Sequence, residues 1–331
     1  MRYIRFSLYC LLATVSICSC QKKMNSEEIY NLASSGVVLI VNEYYYSAKL
    51  NSLDVFFTGV DEDGDPTDLT TDEDEVRQNC YECTGTGFFI SSDGQIMTNR
   101  HVASPKIEKS EVSKNIRKAF KDVFKEERDK LANLWHQYEG NSSTQNEIYN
   151  EWNTFNNAYE SVDEMSADDI QITTHADLYI VYNDTHVVKE DDLKPCVTVA
   201  LSEDEDVDLA IIQLKDSETP ENAYVFSLYP EEDEKELTLD ERLFMIAFNA
   251  GTKVSKTKQG FRSQIYGGHV TQRSDGEQIL YSIASLPGSS GSPVIDQYGY
   301  LVAVNYAKVS GTQGFNYGIP SRLVRQFLKD N

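Results

Sequence analysis

Short runs of apolar residues, rich in β-branched and aromatic side chains, recur along most of the chain. Two follow a brief polar lead, "GVVLIVNEYYY" from Gly36 and "LDVFFTGV" over Leu53–Val60. More occur after Asp169, namely "LYIVYN", "VTVAL", "LAIIQL", "RLFMIAF", "QIYGGHV", "QILYSIA" and "GYLVAVNYA". Runs of this length, separated by turn residues, are typical of β-strands. The pattern predicts a fold made mostly of short strands.

Between residues 104 and 166 the apolar residues change to helical spacing. Two sets recur three, four, seven or eight positions apart, which indicates two amphipathic helices. The sets are Val112, Ile116, Phe120, Val123, Leu131, Leu134 and Tyr138, then Ile148, Trp152, Phe155, Tyr159 and Val162. The polar stretch "EGNSS" separates them, so we predict a helical hairpin about 40 Å long at 1.5 Å per residue. A short closing helix is predicted at "PSRLVRQFLKD".

The first twenty residues have the pattern of an export signal. Arg2 and Arg5 precede the apolar run "FSLYCLLATVSICSC", which is too short for a membrane-spanning helix. Its end, "ICSC", resembles a bacterial lipobox, in which cleavage leaves Cys20 as a lipidated first residue. The alternative is an ordinary signal peptide rich in Cys. We expect residues 1–20 to lie outside the fold and a lipid to be the only membrane tether.

Composition and charge exclude some classes of protein. Apolar residues make up 40% of the 331 residues, which is enough for a packed core. The formal net charge of −23 argues against nucleic acid as a partner, because phosphate binding needs a basic surface. Asp61, Asp63 and Asp65 mimic the start of a calcium loop, but Pro66 stands where such a loop needs Gly. Residues 61–79 are therefore predicted to be a solvated acidic loop.

Three cysteines stand outside the export signal, and they raise the question of a disulfide. Cys80 and Cys83 have the spacing of zinc ligands, but no second pair or nearby His completes a zinc site. In an oxidising compartment a disulfide is expected instead. The pattern leaves two pairings open, one between Cys80 and Cys83 and one joining either of them to Cys196.

The turn-rich stretch "PGSSGSPVI" contains a candidate nucleophile, Ser290. A serine hydroxyl becomes nucleophilic when an imidazole takes its proton, and a carboxylate must hold that imidazole. His101 follows the predicted strand "QIMTN", and Asp208 precedes an apolar strand. Each residue could instead be structural, because the chain has other His residues and Asp208 ends an acidic run. Their order along the chain is that of chymotrypsin, which favours catalysis.

Five stretches resemble the trypsin-like serine peptidases, specifically the HtrA/Deg-type branch. They are "GTGFFIS…IMTNRHV", "DLAIIQL", "PGSSGSPVID", "GYLVAVNYA" and "FNYGIPSRLV". The resemblance implies an all-β fold, a chymotrypsin-like double β-barrel with the active site in the cleft between the barrels. It further implies that His101 is the general base, Asp208 its orienting partner and Ser290 the nucleophile. The backbone N–H groups of Gly288 and Ser290 would form the oxyanion hole.

On this basis the chain divides into a signal, a lead and two barrels. The expected segments are the signal peptide (1–20), a polar or helical lead (21–35), the N-terminal barrel (36–218) with the acidic loop (61–79) and the helical hairpin (104–166) inserted in it, and the C-terminal barrel with the closing helix (219–331).

The sequence also departs from the family pattern. Ser289 stands before the nucleophile, where the family has Asp or Asn, and Ser292 replaces a usual Gly. Activation by a freed N-terminus is therefore not expected. The PDZ domain that often follows in HtrA-type proteins is not expected either. The hairpin is foreign to compact members of the family. We expect it near the active site, as a lid, docking arm or oligomer contact, or else as a surface decoration with its own small core.

The resemblance assigns substrate-binding residues as well. Ala284 stands six residues before the nucleophile, at the floor of the specificity pocket, and Ser285 and Ile319 are expected to line the same pocket. The edge strand that pairs with an extended substrate is expected to comprise Asn305, Tyr306 and Ala307. Because no buried carboxylate awaits Arg or Lys, we predict cleavage after small or medium apolar residues.

Taken together, these features predict an exported serine endopeptidase that works through an acyl-enzyme without a metal or organic cofactor. Its partners would be protein or peptide substrates, with oligomers possible through the hairpin. We expect it in the cell envelope of a Gram-negative bacterium, lipid-anchored in the periplasm or outer membrane. The alternative is a catalytically silent protease-fold lipoprotein that binds proteins through the hairpin.

Overall fold

A computed structural model describes residues 22–50, 53–107, 112, 115–164, 166, 170–186, 192–204, 206–234, 236–306 and 316–331. The predicted export signal, including Cys20, lies outside these residues. The strands are β1 (Val37–Leu50), β2 (Leu53–Phe57), β3 (Gly59–Val60), β4 (Pro66–Thr67), β5 (Tyr81–Phe89), β6 (Gln95–Thr98), β7 (Gln171–Tyr182), β8 (Lys194–Leu201), β9 (Ala210–Leu214), β10 (Arg242–Ala247), β11 (Lys256–Thr257), β12 (Gly260–Phe261), β13 (Gln264–Gln272), β14 (Ile279–Tyr281), β15 (Pro293–Asp296), β16 (Leu301–Tyr306) and β17 (Asn316–Pro320).

Helices are fewer and lie mostly outside the strand-rich parts. The α-helices are α1 (Ser26–Ala33), α2 (Glu73–Gln78), α3 (Arg100–Ala103), α4 (Ile116–Gln137), α5 (Ser142–Ser161), α6 (Gly251–Ser255) and α7 (Ser321–Asp330). Short 3-10 turns occur at Ser34–Gly36, Val162–Glu164 and Glu231–Asp233. Within the described part of the chain, no helix combines the length and the apolar character needed to cross a bilayer.

Two closed barrels of six strands form the body of the molecule. The first has the order β1, β5, β6, β9, β8, β7, and the pairing of β7 with β1 closes it. The second has the order β10, β13, β14, β17, β16, β15 and is also closed. These barrels confirm the predicted all-β, chymotrypsin-like double-barrel fold.

Strands at the contact between the barrels are apolar on both faces, because each face meets a different core. In β1, Val38 and Ile40 fill the first barrel, whereas Leu39 joins a cluster shared by both barrels. In β10, Leu243 fills the second barrel, whereas Phe244 joins the shared cluster. This shared core fixes the two barrels against each other and thereby positions the cleft between them.

Two helices pack on the shared core from the ends of the described chain. A capping box starts α1, in which the Asn25 side chain accepts N–H bonds and the Glu28 carboxylate accepts the Asn25 N–H. Ile29 of α1 and Phe327 of α7 are buried in the shared cluster. The predicted closing helix is therefore confirmed.

The predicted helical hairpin is confirmed as α4 and α5. The 22 residues of α4 span about 33 Å at 1.5 Å per residue. Phe120, Phe124 and Phe155 form one hydrophobic cluster with Tyr46 and Phe57, which lie where β1 and β2 extend beyond the barrel. The hairpin thus shares a core with this β1–β2 extension, apart from the barrel clusters.

The prediction of an acidic loop at residues 61–79 is incomplete, because short elements form inside it. Within it, β4 pairs with β3, which directly precedes the segment, and α2 follows. Asp72 starts α2, since its side chain accepts hydrogen bonds from the backbone N–H groups of Asp74 and Glu75. Acidic residues that were interpreted as solvated charge therefore include a helix cap.

The predicted disulfide is wrong, because Cys80, Cys83 and Cys196 are free thiols. Cys80 directly precedes β5 and Cys83 lies within it. Three residues of extended chain separate Cα atoms by about 10 Å, beyond the ~7 Å that a disulfide allows. Cys196 lies inside the first barrel, where burial raises its pKa to about 12.

Candidate active site

His101 lies on the single turn of α3, directly after β6. The buried side chain of Asn42 holds this turn, because its Nδ2 donates hydrogen bonds to the carbonyls of Val102 and Ala103 at 2.8 and 3.3 Å. About half of the His101 side chain, 47%, is exposed. The imidazole is therefore fixed at its base and open to solvent at its edge.

Asp208 approaches the same turn from the neighbouring strand. Because β6 and β9 are antiparallel partners, the residues after β6 and before β9 lie side by side. Asp208 Oδ2 lies 2.6 Å from His101 Nδ1, and Oδ1 accepts the backbone N–H of His101 at 3.0 Å. Asn99 Nδ2 donates to the carbonyl of Asp208 at 2.8 Å. The carboxylate therefore holds both the ring and the backbone of His101.

The pKa of Asp208 lies below its ordinary value. Burial raises it, but hydrogen bonds and charge from His101, with backbone N–H groups of His101 and Arg100, lower it by more. An ionised carboxylate only accepts hydrogen bonds, so Nδ1 of His101 is the donor. In the neutral imidazole this leaves Nε2 free to accept a proton.

Ser290 lies in the loop between β14 and β15, pressed against the first barrel. Its carbonyl accepts the backbone N–H of Thr86 at 2.8 Å. At Gly291 an added Cβ would lie 3.1 Å from the backbone nitrogen of Asn99, the residue before α3. The backbone of the nucleophile loop thus contacts the segment that carries His101. The hydroxyl of Ser290 is partly exposed and makes no hydrogen bond to His101 or to any other described residue.

The predicted oxyanion donors have no partner in the described part of the chain. The backbone N–H groups of Gly288 and Ser290 make no hydrogen bond to a described residue, whereas the N–H of Ser289 donates to the Leu286 carbonyl at 3.0 Å. Gly288 has φ +95°, and a Cβ there would lie 2.6 Å from the carbonyl oxygen of Phe248. Only glycine fits this backbone position, and the arrangement leaves two donors free for a ligand.

Thr86 is a residue that the sequence reasoning missed. Its hydroxyl donates to the carbonyl of Gly288 at 2.7 Å and accepts the N–H of Phe248 at 3.0 Å. Its backbone N–H holds the carbonyl of Ser290. One residue of the first barrel therefore fixes both residues of the candidate oxyanion hole. The stretch "GTGF" signalled its neighbourhood, but the pattern gave no reason to single out its hydroxyl.

The three predicted pocket residues differ in their exposure to solvent. Ala284 is exposed, and Ser285 is half-buried with its hydroxyl 2.6 Å from that of Ser289. Ile319 is 2% exposed and belongs to the shared core between the barrels. The expectation that Ile319 lines the pocket is therefore wrong, because a side chain buried this deeply offers almost no surface to a substrate.

The predicted edge strand is wrong at its first residue. The carbonyl of Asn305 accepts the N–H of Gly291 and its N–H donates to the carbonyl of Ser292. On the other side Asn305 pairs with Gly318 of β17, so neither side is an edge. Tyr306 pairs with Tyr317, and Ala307 lies outside the described residues.

The described residues contain no cluster of three or more His, Cys, Asp or Glu that could hold a metal ion. Acidic side chains of the 61–65 turn contact backbone instead: Asp61 Oδ1 accepts the N–H groups of Asp63 and Asp65, each at 2.9 Å. The described residues offer an imidazole held by a carboxylate, the Ser290 hydroxyl and two N–H donors without a described partner.

Two barrels with this arrangement in their cleft are the architecture of the chymotrypsin-like peptidases. The family model of the trypsin-like peptidase domain matches residues 165–304. The match confirms the resemblance to that family over this part of the chain. The matched range contains Asp208 and Ser290 but begins after His101.

Solved structures similar to this chain include two proteases. The serine endoprotease from Yersinia pestis has a TM-score of 0.47 and 11% identity, over 93% of this chain and 66% of that one. The HtrA-type protease AlgW with tripeptide has a TM-score of 0.47 and 13% identity, over 92% of this chain and 63% of that one. The chain thus spans less than two thirds of the length of either. No curated protein matches it.

Proposed function

We propose that the protein is a serine endopeptidase with His101, Asp208 and Ser290 as its triad. The observation that carries the proposal is the double contact of Asp208 with His101, which sets the imidazole tautomer that a general base needs. His101 Nε2 takes the proton of Ser290 as Oγ attacks the substrate carbonyl. The same proton passes to the leaving amine, which leaves an acyl-enzyme that water hydrolyses in the second half-reaction.

The free N–H groups of Gly288 and Ser290 support a role as the oxyanion hole. During attack the substrate carbonyl oxygen gains negative charge, which fixed donors in a protected site stabilise. Removing one such donor costs about 100- to 1000-fold in turnover. Because the two donors have no competing partner in the described residues, they need no rearrangement before they bind the oxyanion.

Small side chains support cleavage after small or medium apolar residues. Ala284 is exposed and uncharged, and Ser285 stands next to it with its hydroxyl turned to Ser289. Neither offers a carboxylate to a basic substrate side chain. A peptide library should therefore give products that end in residues such as Ala or Val; products dominated by Arg or Lys would contradict this preference.

Export and lipid anchoring of Cys20 complete the proposal, with the cell envelope of a Gram-negative bacterium as the location. The lipobox-like "ICSC" supports them. Labelling of cells with a radioactive fatty acid should mark the wild-type protein and not the Cys20→Ala variant. An unlabelled wild-type protein in the soluble periplasmic fraction would leave ordinary secretion as the correct interpretation.

A fluorophosphonate probe tests the catalytic proposal directly. We expect the wild type to be labelled and the Ser290→Ala variant to be unlabelled, with turnover reduced about a million-fold. His101→Ala should reduce turnover by a similar factor. Ser274→Ala is the matched control, because on an exposed turn its hydroxyl donates to the Gln278 carbonyl and accepts the Gly276 N–H, both within the same turn. Hydrolysis that survives Ser290→Ala would exclude the proposed nucleophile.

A second candidate function is protein binding by a catalytically silent relative. Exposed aromatic side chains near the tip of the hairpin favour it, since Trp135, Tyr138 and Tyr149 are 38%, 44% and 55% exposed. An unlabelled wild type that still binds a protein partner, with binding lost when these side chains are removed, would favour this function over catalysis.

A further inference from the structure

The carbonyl groups of the nucleophile loop decide where the oxyanion donors point. In a trans peptide unit the C=O and the N–H point in opposite directions. The N–H of Ser290 shares its peptide unit with the carbonyl of Ser289, and the N–H of Gly288 shares its unit with the carbonyl of Pro287. Whatever holds these two carbonyls therefore aims the two donors away from itself.

A buried amide holds the first of these carbonyls. Asn305 Nδ2 donates to the Ser289 carbonyl at 2.9 Å, and the N–H of Ser292 adds a second bond at 3.1 Å. The Asn305 side chain is wholly buried. Its Oδ1 lies 2.8 Å from the hydroxyl of Tyr281, which also lies 2.9 Å from the carbonyl oxygen of Tyr317, so one hydroxyl proton serves two acceptors. Because the Ser289 carbonyl only accepts hydrogen bonds, Nδ2 and not Oδ1 of the amide faces it, and the Tyr281 hydroxyl supports this orientation when it donates to Oδ1.

The second carbonyl is held by backbone. The N–H of Ala250 donates to the carbonyl of Pro287 at 2.6 Å. Ala250 has φ +60°, a left-handed conformation that is costly for any residue except glycine. The two carbonyls are thus held differently. Backbone holds the Pro287 carbonyl, which aims the Gly288 N–H, whereas a side chain that can be substituted helps to hold the Ser289 carbonyl, which aims the Ser290 N–H.

The side chain of Ser289 does not hold its own carbonyl. The Ser289 hydroxyl bonds locally, to the Leu286 carbonyl at 2.7 Å and to the Ser285 hydroxyl at 2.6 Å. These bonds fix the Ser289 side chain but do not touch its carbonyl. Asn305 supplies that contact from the neighbouring strand, β16.

We propose that Asn305 is a positioning residue of the oxyanion hole, with Tyr281 as the group that orients its amide. The inference rests on the proposed function, because an oxyanion hole has meaning only for a hydrolase. Asn305 touches neither substrate nor reacting atoms. It acts through the peptide unit between Ser289 and Ser290, and its loss should affect the transition state more than substrate binding.

Asn305→Asp is the sharpest test, since it keeps the size of the side chain and replaces the amide donor with an acceptor. We expect kcat on a peptide ester to fall about 10- to 100-fold, because a misdirected donor should cost less than the complete removal of one. The KM should stay within about threefold of the wild-type value. Affinity for a peptide boronic acid, whose adduct with Ser290 is tetrahedral, should fall by the same factor as kcat. Tyr281→Phe should give a smaller loss in the same direction.

A matched control separates positioning from stability. Val302 lies on the same strand, in the core of the second barrel. The Val302→Ala variant should lower the melting temperature, while its kcat stays within about threefold of the wild-type value. If Asn305→Asp does not fold, Tyr281→Phe carries the test, because it removes only one hydroxyl. A folded Asn305→Asp or Tyr281→Phe variant that keeps the wild-type kcat and boronate affinity would overturn the inference. A wild type that the fluorophosphonate does not label would overturn the proposed function first, so the two failures are distinguishable.

Discussion

At the scale of single residues, Asp208 ties catalysis to the pH dependence of stability. A carboxyl group whose pKa is lowered on folding stabilises the folded state when it is ionised. This contribution is present above the ordinary pKa of about 4, and it is lost as the pH falls through the lower, folded value. We expect Asp208→Asn to reduce the free energy of unfolding at pH 7, with the gap to wild type closing below about pH 4. Urea unfolding at several pH values measures this.

The same substitution should reduce turnover about ten-thousand-fold, because an asparagine stabilises the wrong imidazole tautomer. Asp206→Asn is the control for both readouts. Asp206 is exposed two residues away; its backbone N–H donates to Asp204 Oδ1, and its side chain has no hydrogen bond to a described residue. A stability gap for Asp208→Asn that stays constant down to pH 3 would mean that the substitution acts through geometry and not through charge.

Residues were predictable from sequence where their function leaves a local pattern. His101 and Asp208 each stand next to an apolar strand, and the apolar run in the sequence predicts where such a strand begins or ends. Asn305 also stands in a strand, but alternation cannot tell which side of a strand is already paired. Its assignment to a substrate-binding edge failed for that reason. The cysteine pairing failed because spacing along the sequence does not reveal that β5 holds the Cys80–Cys83 stretch extended.

At the scale of elements, the hairpin and the β1–β2 extension form a unit with a core separate from those of the barrels. Phe124 of α4 is fully buried in this core and meets the rings of Phe120 and Phe155. Phe124→Ala should cost about 3–5 kcal/mol of unfolding free energy. Thermal unfolding followed by tryptophan fluorescence reports on it, because Trp135 and Trp152 lie on the hairpin.

The barrels keep their own cores in this variant, so fluorophosphonate labelling of Phe124→Ala should persist at 25 °C. Tyr149→Ala is the control, since that side chain is 55% exposed and should change stability by less than about 0.5 kcal/mol. If labelling of Phe124→Ala were lost while the barrels remained folded, the hairpin would have to contribute to the active site.

Helices and strands were predicted best from the sequence where a single pattern dominated a segment. The helical spacing of the hairpin is sustained over two long helices, and the structure has both. In the acidic segment the charge pattern masked the cap of α2, because Asp is at once a residue of solvated loops and a strong helix N-cap. The short pair of β3 and β4 offered too few residues for any periodicity.

At the scale of the whole molecule, the candidate active site depends on how closely the two barrels approach. Apolar runs predict the strands and the family resemblance implies two barrels, but neither predicts the backbone contacts across their boundary. Gly291 has φ +83°, and an added Cβ would lie 2.2 Å from the carbonyl oxygen of Thr86 and 2.3 Å from the hydroxyl of Thr98. Both atoms belong to the first barrel, and Thr98 already donates that hydroxyl to the Thr86 carbonyl at 2.8 Å. There is no room for a methyl group unless the barrels separate.

Gly291→Ala should therefore both open the cleft and lower the free energy of unfolding. Backbone strain costs about 1–2 kcal/mol, and overpacking adds about 1–3 kcal/mol. Gly140→Ala is a matched control, because Gly140 has φ +93° with nothing within 4 Å of an added Cβ. We expect Gly140→Ala to show the strain alone, with full fluorophosphonate labelling, whereas Gly291→Ala unfolds more easily and is labelled at least tenfold more slowly. Equal stability and equal labelling of the two variants would mean that the barrels can shift apart without loss, and that the contact of Gly291 with Thr86 does not set the geometry of the site.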